Sequence, residues 1–286
     1  MVKETARAKI NLTLDILGAR ADGYHEVSMI MQTIELADEV ELEKISDGII
    51  LKMDTSEILG GEKIPLDEKN LAWRAAVEFQ KFCGKNLGVA INIKKKIPIE
   101  AGLAGGSTDA AAVIRGMNRL YETNFSEKEL CKIGMKIGAD VSFCIIGGIC
   151  LAEGRGDTLT RLDPIKKFSV VLAKPDGGIS TAWAYKTYDD NPAEKHIPND
   201  KIIEHFQRGE YDAAFKYFSN ALEKVAAKKI PAIADLKRKM LAAGAKAVSM
   251  SGSGSTIFAL TDEQNVEKIA ASVENSGAQI FITKTF

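Results

Sequence analysis

The sequence predicts an α+β chain of two domains, and three stretches carry that reading. Gly88–Lys94 alternates apolar and polar residues as a strand does, a glycine-rich loop follows, and Ala110–Tyr121 has the spacing of a helix. Near the N-terminus, Ala8, Ile10, Leu12, Leu14 and Ile16 alternate with Lys9, Asn11, Thr13 and Asp15, which gives a strand over 6–17 with one apolar and one polar face. Composition then breaks at Gly154-Arg155-Gly156-Asp157, and a new series of strands and helices begins at Phe168. The predicted domains are 1–157 and 158–286.

Size and composition fit that division. The 286 residues are enough for two ordinary domains, and 45% hydrophobic with 27% charged residues describes a globular chain with ample core. A net charge of −1 argues against a general nucleic-acid or anionic-membrane binder. No apolar run approaches the ~20 residues of a membrane span, and the N-terminus shows no signal-type core. Cys83, Cys131, Cys144 and Cys150 lack C-x-x-C spacing and read as reduced, buried thiols. His25, His196 and His205 are too scattered to suggest a metal site. A cytoplasmic protein is expected.

The loop Pro98-Ile99-Glu100-Ala101-Gly102-Leu103-Ala104-Gly105-Gly106-Ser107-Thr108-Asp109 is the most informative stretch. A loop opening a helix presents unpaired backbone N–H groups and the positive end of the helix dipole, and glycine lets an anion approach closely. Phosphate binding is one reading; a flexible loop with an ordinary Ser/Thr cap is the other. No Gly-Lys-[Ser/Thr] closes the loop and no G-x-G-x-x-G occurs in it, so neither the common P-loop nor a dinucleotide fingerprint is present.

Elements elsewhere follow from local pattern. Gly18–Glu26 is a turn-rich connector in which Tyr24-His25 pairs an aromatic with a hydrogen-bonding ring; it suits a heterocyclic base or a packed loop. Strands are expected at 26–36, 38–45 and 48–54, and a helix at about 69–83 capped by Asn70. Ser126-Glu127-Lys128-Glu129 has the form of a capping box. Asp140, set among Val141, Phe143, Cys144, Ile145 and Ile146, is either a turn or cap residue or a partly buried carboxylate that needs a cation. Ile179-Ser180-Thr181-Ala182-Trp183-Ala184-Tyr185 reads as a capped helix start, residues 190–200 form a polar loop, and helices follow at about 200–207, 210–226 and 231–243. Residues 247–260 read as strand, Gly/Ser loop, strand; the loop is a hairpin turn or, given its four serines, a ligand loop. A helix at about 263–275 and a strand at 279–284 complete the chain. The 54–68 loop suggests no role. The run Lys94-Lys95-Lys96 either attracts an anion or is a solvated strand end.

Together these motifs resemble the GHMP kinase superfamily. The strand with Lys9 and Asn11, the Pro98-x-x-x-Gly102-Leu103-Ala104-Gly105-Gly106-Ser107-Thr108 loop and the late Ser251-Gly252-Ser253-Gly254 loop match in the expected order. Within the superfamily, Ala8-Lys9-Ile10-Asn11-Leu12-x-Leu14, Arg20-x-Asp22-Gly23-Tyr24-His25-Glu26 and Gly138-Ala139-Asp140-Val141 resemble the branch that acts on a cytidine-diphosphate-linked methylerythritol. Ser142 stands where that branch often has Pro, and Met31 where some members carry an aromatic.

The resemblance implies a ribosomal-protein-S5-like N-terminal domain, a ferredoxin-like C-terminal domain and an active site in the cleft between them. It also implies ATP-dependent phosphorylation of the 2-hydroxyl of that substrate, a step of non-mevalonate isoprenoid synthesis, by a monomer or homodimer. Under it, residues 98–108 hold the ATP phosphates, with Ser107 nearest Mg²⁺ or a β-phosphate oxygen. Asp140 is the general base, with Lys9 beside it. Tyr24 stacks on the cytosine, His25 hydrogen-bonds to it, and Tyr185 offers an opposite face. Asn11 and Thr181 are further substrate contacts. Other acceptors (homoserine, mevalonate, a sugar) and a non-catalytic nucleotide-binding protein are the competing readings.

Overall fold

The N-terminal alternation becomes strand β1 (Val2–Asn11) of a computed structural model that describes residues 1–60, 64–193 and 195–286. Parts of two expected loops, at 61–63 and 194, lie outside the described residues. The chain divides into two compact units: Met1–Ala8, Leu36–Ile99 and Ala104–Gly147 form one, and Lys9–Glu35, Glu100–Leu103 and Gly148–Phe286 form the other.

In the first unit, residues 36–44 of strand β3 (His25–Lys44) pair antiparallel with β5 (Val89–Lys94), which pairs in parallel with β4 (Ile49–Asp54). Among the described residues four α-helices accompany this part of the sheet: α1 (Leu71–Cys83), α2 (Gly105–Leu120), α3 (Glu127–Gly134) and α4 (Ala139–Ile146). Asn70 caps α1 by accepting the Ala72 N–H at 2.8 Å, and both hydrogen bonds of the Ser126/Glu129 capping box are formed on α3. Leu42, Ile91, Ile93, Phe79, Ala111, Ile114 and Val141 belong to one buried apolar cluster. Close packing makes one glycine necessary: a Cβ on Gly116 would lie 2.4 Å from Leu42 Cδ1.

In the second unit, residues 27–32 of β3 pair antiparallel with β6 (Ile149–Gly154), which turns back into β7 (Thr158–Arg161); β2 (Asp15–Ala19) pairs with the start of β3. A separate antiparallel sheet contains β8 (Ser169–Lys174), β9 (Ala247–Met250), β10 (Ile257–Thr261) and β11 (Gln279–Lys284), in the order β11-β8-β10-β9. Numbered within this sheet the order is 4-1-3-2. Among the described residues five helices separate β8 from β9: α5 (Thr181–Asp189), α6 (Asn199–Gln207), α7 (Tyr211–Phe215), α8 (Glu223–Lys229) and α9 (Ala232–Ala242). Helix α10 (Val266–Val273) links β10 to β11, which gives the ferredoxin-like arrangement expected for this half.

Several elements differ from expectation for physical reasons. The strands expected at 26–36 and 38–45 are one strand, because Asp38 does not break it: its carboxylate is buried and accepts the Lys96 and Ile97 N–H groups and the Lys95 ammonium. The strand expected over 6–17 is interrupted between Asn11 and Asp15, where Leu14 instead exchanges backbone hydrogen bonds with Ser219 and Ala221. The helix expected over 210–226 is broken at the same place, so that Asn220 can donate to the carbonyls of Met250 and Gly252. Helix α2 starts five residues before the expected Ala110, and the compositional break at 154–157 falls at the turn between β6 and β7.

Candidate active site

The polar face of the N-terminal strand is not solvated. Lys9 is 4% exposed, and Asn11, Thr13 and Asp15 are buried. A buried polar group is costly unless it is paired, and each of these is. Lys9 Nζ donates to Asn11 Oδ1, Thr13 Oγ1 donates to Asn199 Oδ1 at 2.7 Å, and Asp15 Oδ2 accepts the Ile197 N–H at 2.8 Å.

Three motifs far apart in sequence meet here. The Lys9 N–H donates to Leu103 O at 3.2 Å, Ser251 Oγ donates to Gly102 O at 2.9 Å, and the Asn11 N–H donates to Ser251 Oγ at 3.3 Å. Gly102 has φ 73° and a Cβ there would lie 2.1 Å from Ser251 O, so only glycine fits. A Cβ on Gly252 would reach within 3.4 Å of Lys9 Nζ, which fixes how closely the late loop approaches the lysine. Ser251 and Ser255 are buried, and Ser255 Oγ donates to Gly177 O; these serines of the late loop hold backbone in place.

The glycine loop runs into α2 with left-handed backbone at Glu100 (φ 49°) and Ala104 (φ 58°). Ala104 is the N-cap and supplies no side-chain hydrogen bond, so the first turn of α2 begins uncapped with Gly105, Gly106 and Ser107. Uncapped N–H groups at the positive end of a sixteen-residue helix suit a phosphate. Gly106 is exposed and Ser107 half-buried, whereas the side chains of Pro98, Ala101 and Leu103 are buried. Thr108 is buried as well and its hydroxyl donates to Arg7 O at 2.6 Å, tying α2 to β1.

Asp140 lies in the first turn of α4, half-buried, where the helix dipole favours a carboxylate. The N-cap Gly138 supplies no side-chain bond to that turn.

His25, at the start of β3, meets α5. Its ring centroid lies 4.9 Å from that of Tyr185, and its Nε2 lies 2.7 Å from Asp189 Oδ1. Tyr24 is 59% exposed, with the Arg155 guanidinium 5.2 Å from its ring centroid. Thr181 Oγ1 lies 3.1 Å from Ser253 Oγ, so α5 also touches the late Gly/Ser loop.

The basic run is not a free cationic patch. Lys94 pairs with Glu57 at 2.7 Å and Lys96 with Glu39 at 2.5 Å, while Lys95 is buried between Asp38 and Asp109. Burial pulls the Lys95 ammonium down, but Asp109 and Asp38 outweigh it and hold the group above its ordinary value. Burial drives the Asp109 carboxyl well above the carboxylate range, with Lys95 opposing and Asp38 adding to the rise. Asp38, Asp109 and Asp189 carry no local signal that marks them. Lys95 does, because it shares the parity of the buried Val89, Ile91, Ile93 and Ile97.

Comparison with known proteins agrees with these motifs. The model of the GHMP kinases N terminal domain matches residues 70–148, and that of the GHMP kinases C terminal matches 202–279. The 4-diphosphocytidyl-2-C-methyl-D-erythritol kinase of Clostridium botulinum (strain Alaska E43 / Type E3) is 40% identical over 281 residues, covering 98% of each chain. The enzyme of the same name from Geobacillus sp. (strain WCH70) is 42% identical, over 98% of this chain and 95% of its own. A crystal structure of 4-(cytidine 5'-diphospho)-2C-methyl-D-erythritol kinase superposes with a TM-score of 0.82 at 30% identity, covering 99% of both chains. Homoserine kinase from Cytophaga hutchinsonii, at 19% identity and a TM-score of 0.78, shares the fold. Full-length similarity of this extent places the chain in the GHMP kinases and, within them, in the 4-diphosphocytidyl-2-C-methyl-D-erythritol kinase family.

Proposed function

We propose that this protein transfers the γ-phosphoryl group of ATP to the 2-hydroxyl of 4-diphosphocytidyl-2-C-methyl-D-erythritol, in the cytoplasm, as a step of non-mevalonate isoprenoid precursor synthesis. The observation that carries the reading is identity of 40–42% to kinases of that name over nearly the full length of both chains. The matched spans 70–148 and 202–279 fall on either side of a division at 157, which supports kinase domains at 1–157 and 158–286.

Phosphoryl transfer asks a protein chiefly to position the reactants and neutralise charge. The uncapped start of α2 and residues 98–108 supply backbone donors for the ATP phosphates. Ser107 offers a hard oxygen of the kind that completes a Mg²⁺ held mainly by phosphates. Bound there, the ion would neutralise phosphate charge. Asp140 accepts the proton of the attacking hydroxyl, and Lys9 polarises that hydroxyl. Lys9 is already desolvated and oriented by Asn11, so little reorganisation is needed when substrate arrives. Tyr24 stacks on the cytosine, with His25 and Tyr185 beside it; Asn11 and Thr181 complete the acceptor contacts.

The test is ATP consumption by the purified protein with Mg²⁺ and the cytidylyl substrate, beside methylerythritol phosphate lacking cytidine. Turnover only with the cytidylyl compound is expected. Turnover with neither, while ATP still binds, would move the acceptor elsewhere within the GHMP kinases, and absence of ATP binding would remove the phosphate-loop reading.

A further inference from the structure

His25 is held by two residues of one helix face. Tyr185 and Asp189 stand four positions apart on α5 and therefore project to the same side. The first lies against the imidazole ring, and the second reaches Nε2 at 2.7 Å. The side chain of His25 is only 11% exposed, so the ring cannot turn without losing both contacts.

An ionised carboxylate only accepts hydrogen bonds, so the imidazole nitrogen beside Asp189 must carry the proton. In the neutral ring the other nitrogen then carries the lone pair. The pyrimidines differ at position 4, where cytosine bears an amino donor and the 4-oxo bases an acceptor, and with it at the adjacent N3. A lone pair at Nδ1 welcomes the first and repels the second. The Asp189 side chain is itself about half exposed, so its bond to His25 is a weak stabiliser of the fold. Its effect on the proton position of a shielded ring is larger than its effect on stability.

We propose that Asp189 is a positioning residue for base selection: it keeps the His25 proton on Nε2, so that Nδ1 accepts a hydrogen bond from the 4-amino group of cytosine and disfavours a 4-oxo pyrimidine. The proposal rests on the reading of Tyr24-His25 as the base site. It adds a determinant outside that pair, on a residue that need not touch the substrate.

Two measurements on the full chain test it. The first is ¹⁵N NMR of histidine-labelled protein, with the His25 signals assigned by their loss in His25→Gln, at about pH 8 where an ordinary imidazole is neutral. Wild type and Asp189→Asn, whose amide oxygen still accepts, should show the Nε2–H tautomer, and Asp189→Ala a mixture. The second is kcat/KM for the cytidylyl substrate against its uridylyl analogue. Asp189→Ala should lower the preference about tenfold, the effect of losing one oriented hydrogen bond. The change should fall on the KM for the cytidylyl compound, with the KM for ATP unaltered and the preference largely kept in Asp189→Asn. A purely structural tie would alter thermal stability without moving the tautomer or the base preference.

An Nδ1–H tautomer in the wild type, or a preference unchanged in Asp189→Ala, overturns the proposal and leaves the base site standing. A wild type that uses both pyrimidines equally overturns the base reading itself, and the proposal with it.

Discussion

Lys95 Nζ lies 2.7 Å from Asp109 Oδ2, and both side chains are only 3% exposed. The pair joins the end of β5 to the helix that opens at the glycine loop, and Asp38 makes it a buried cluster of one cation and two carboxyls. Asp109 Oδ1 has no hydrogen-bond partner among the described residues. Burial drives the Asp109 carboxyl upward; Lys95 opposes the rise, and Asp38, the second acid on the one ammonium, adds to it.

Removing the cation should therefore be far worse than neutralising the second acid. Lys95→Met is expected to cost about 3–5 kcal/mol, since it strands two buried carboxyls, whereas Asp109→Asn should be nearly neutral. Urea unfolding of both variants measures the difference; equal losses would contradict the charge argument.

The same cluster sets a pH dependence. The folded value for Asp109 is raised above its unfolded value of about 3.9, so its contribution is fully present below that pH and is lost as pH rises through the folded value. Asp109→Asn removes that loss. The variant should thus gain stability relative to wild type on going from about pH 3.5 to about pH 8, read as the difference in Tm across that range. The raised Lys95 acts at the other end: its contribution persists through neutrality and fades only above the ordinary lysine range.

Asp140→Asn should keep ATP binding and thermal stability while kcat falls about a hundredfold or more, the usual contribution of a positioned base. Steady-state kinetics with the cytidylyl substrate decide it, and normal turnover would remove Asp140 from the base role.

Tyr24→Ala should raise the KM for the cytidylyl substrate about tenfold and leave that for ATP unchanged, because base–aromatic stacking is worth about 1–3 kcal/mol. Equal effects on both constants would sink the stacking role.

Gly102→Ala tests the junction of the motifs. Its methyl group would meet the Ser251 carbonyl at 2.1 Å, with the backbone at φ 73°. Neither atom is the end of a flexible side chain, so about 1–3 kcal/mol of strain is expected together with weaker ATP binding. Calorimetry and nucleotide titration would show both.

Much of this protein was legible in one dimension. A period-2 run located β5, caps at Asn70 and Ser126 located two helix starts, and the glycine loop and the Tyr24-His25 pair stood out by composition alone. These are local signals, set by backbone sterics and by hydrogen bonds that span a few residues. What the tertiary structure decided is long-range pairing. Lys95 looked like part of a basic run until Asp38 and Asp109, 57 and 14 positions away, enclosed it. The helix expected across Asn220 gave way because that amide satisfies carbonyls 30 and 32 residues on. Asp189, 164 positions from His25, acquires its meaning only when α5 is laid against β3. Propensity and periodicity act along the chain, whereas the free energy of a buried charge or polar group depends on the partner that the fold brings to it.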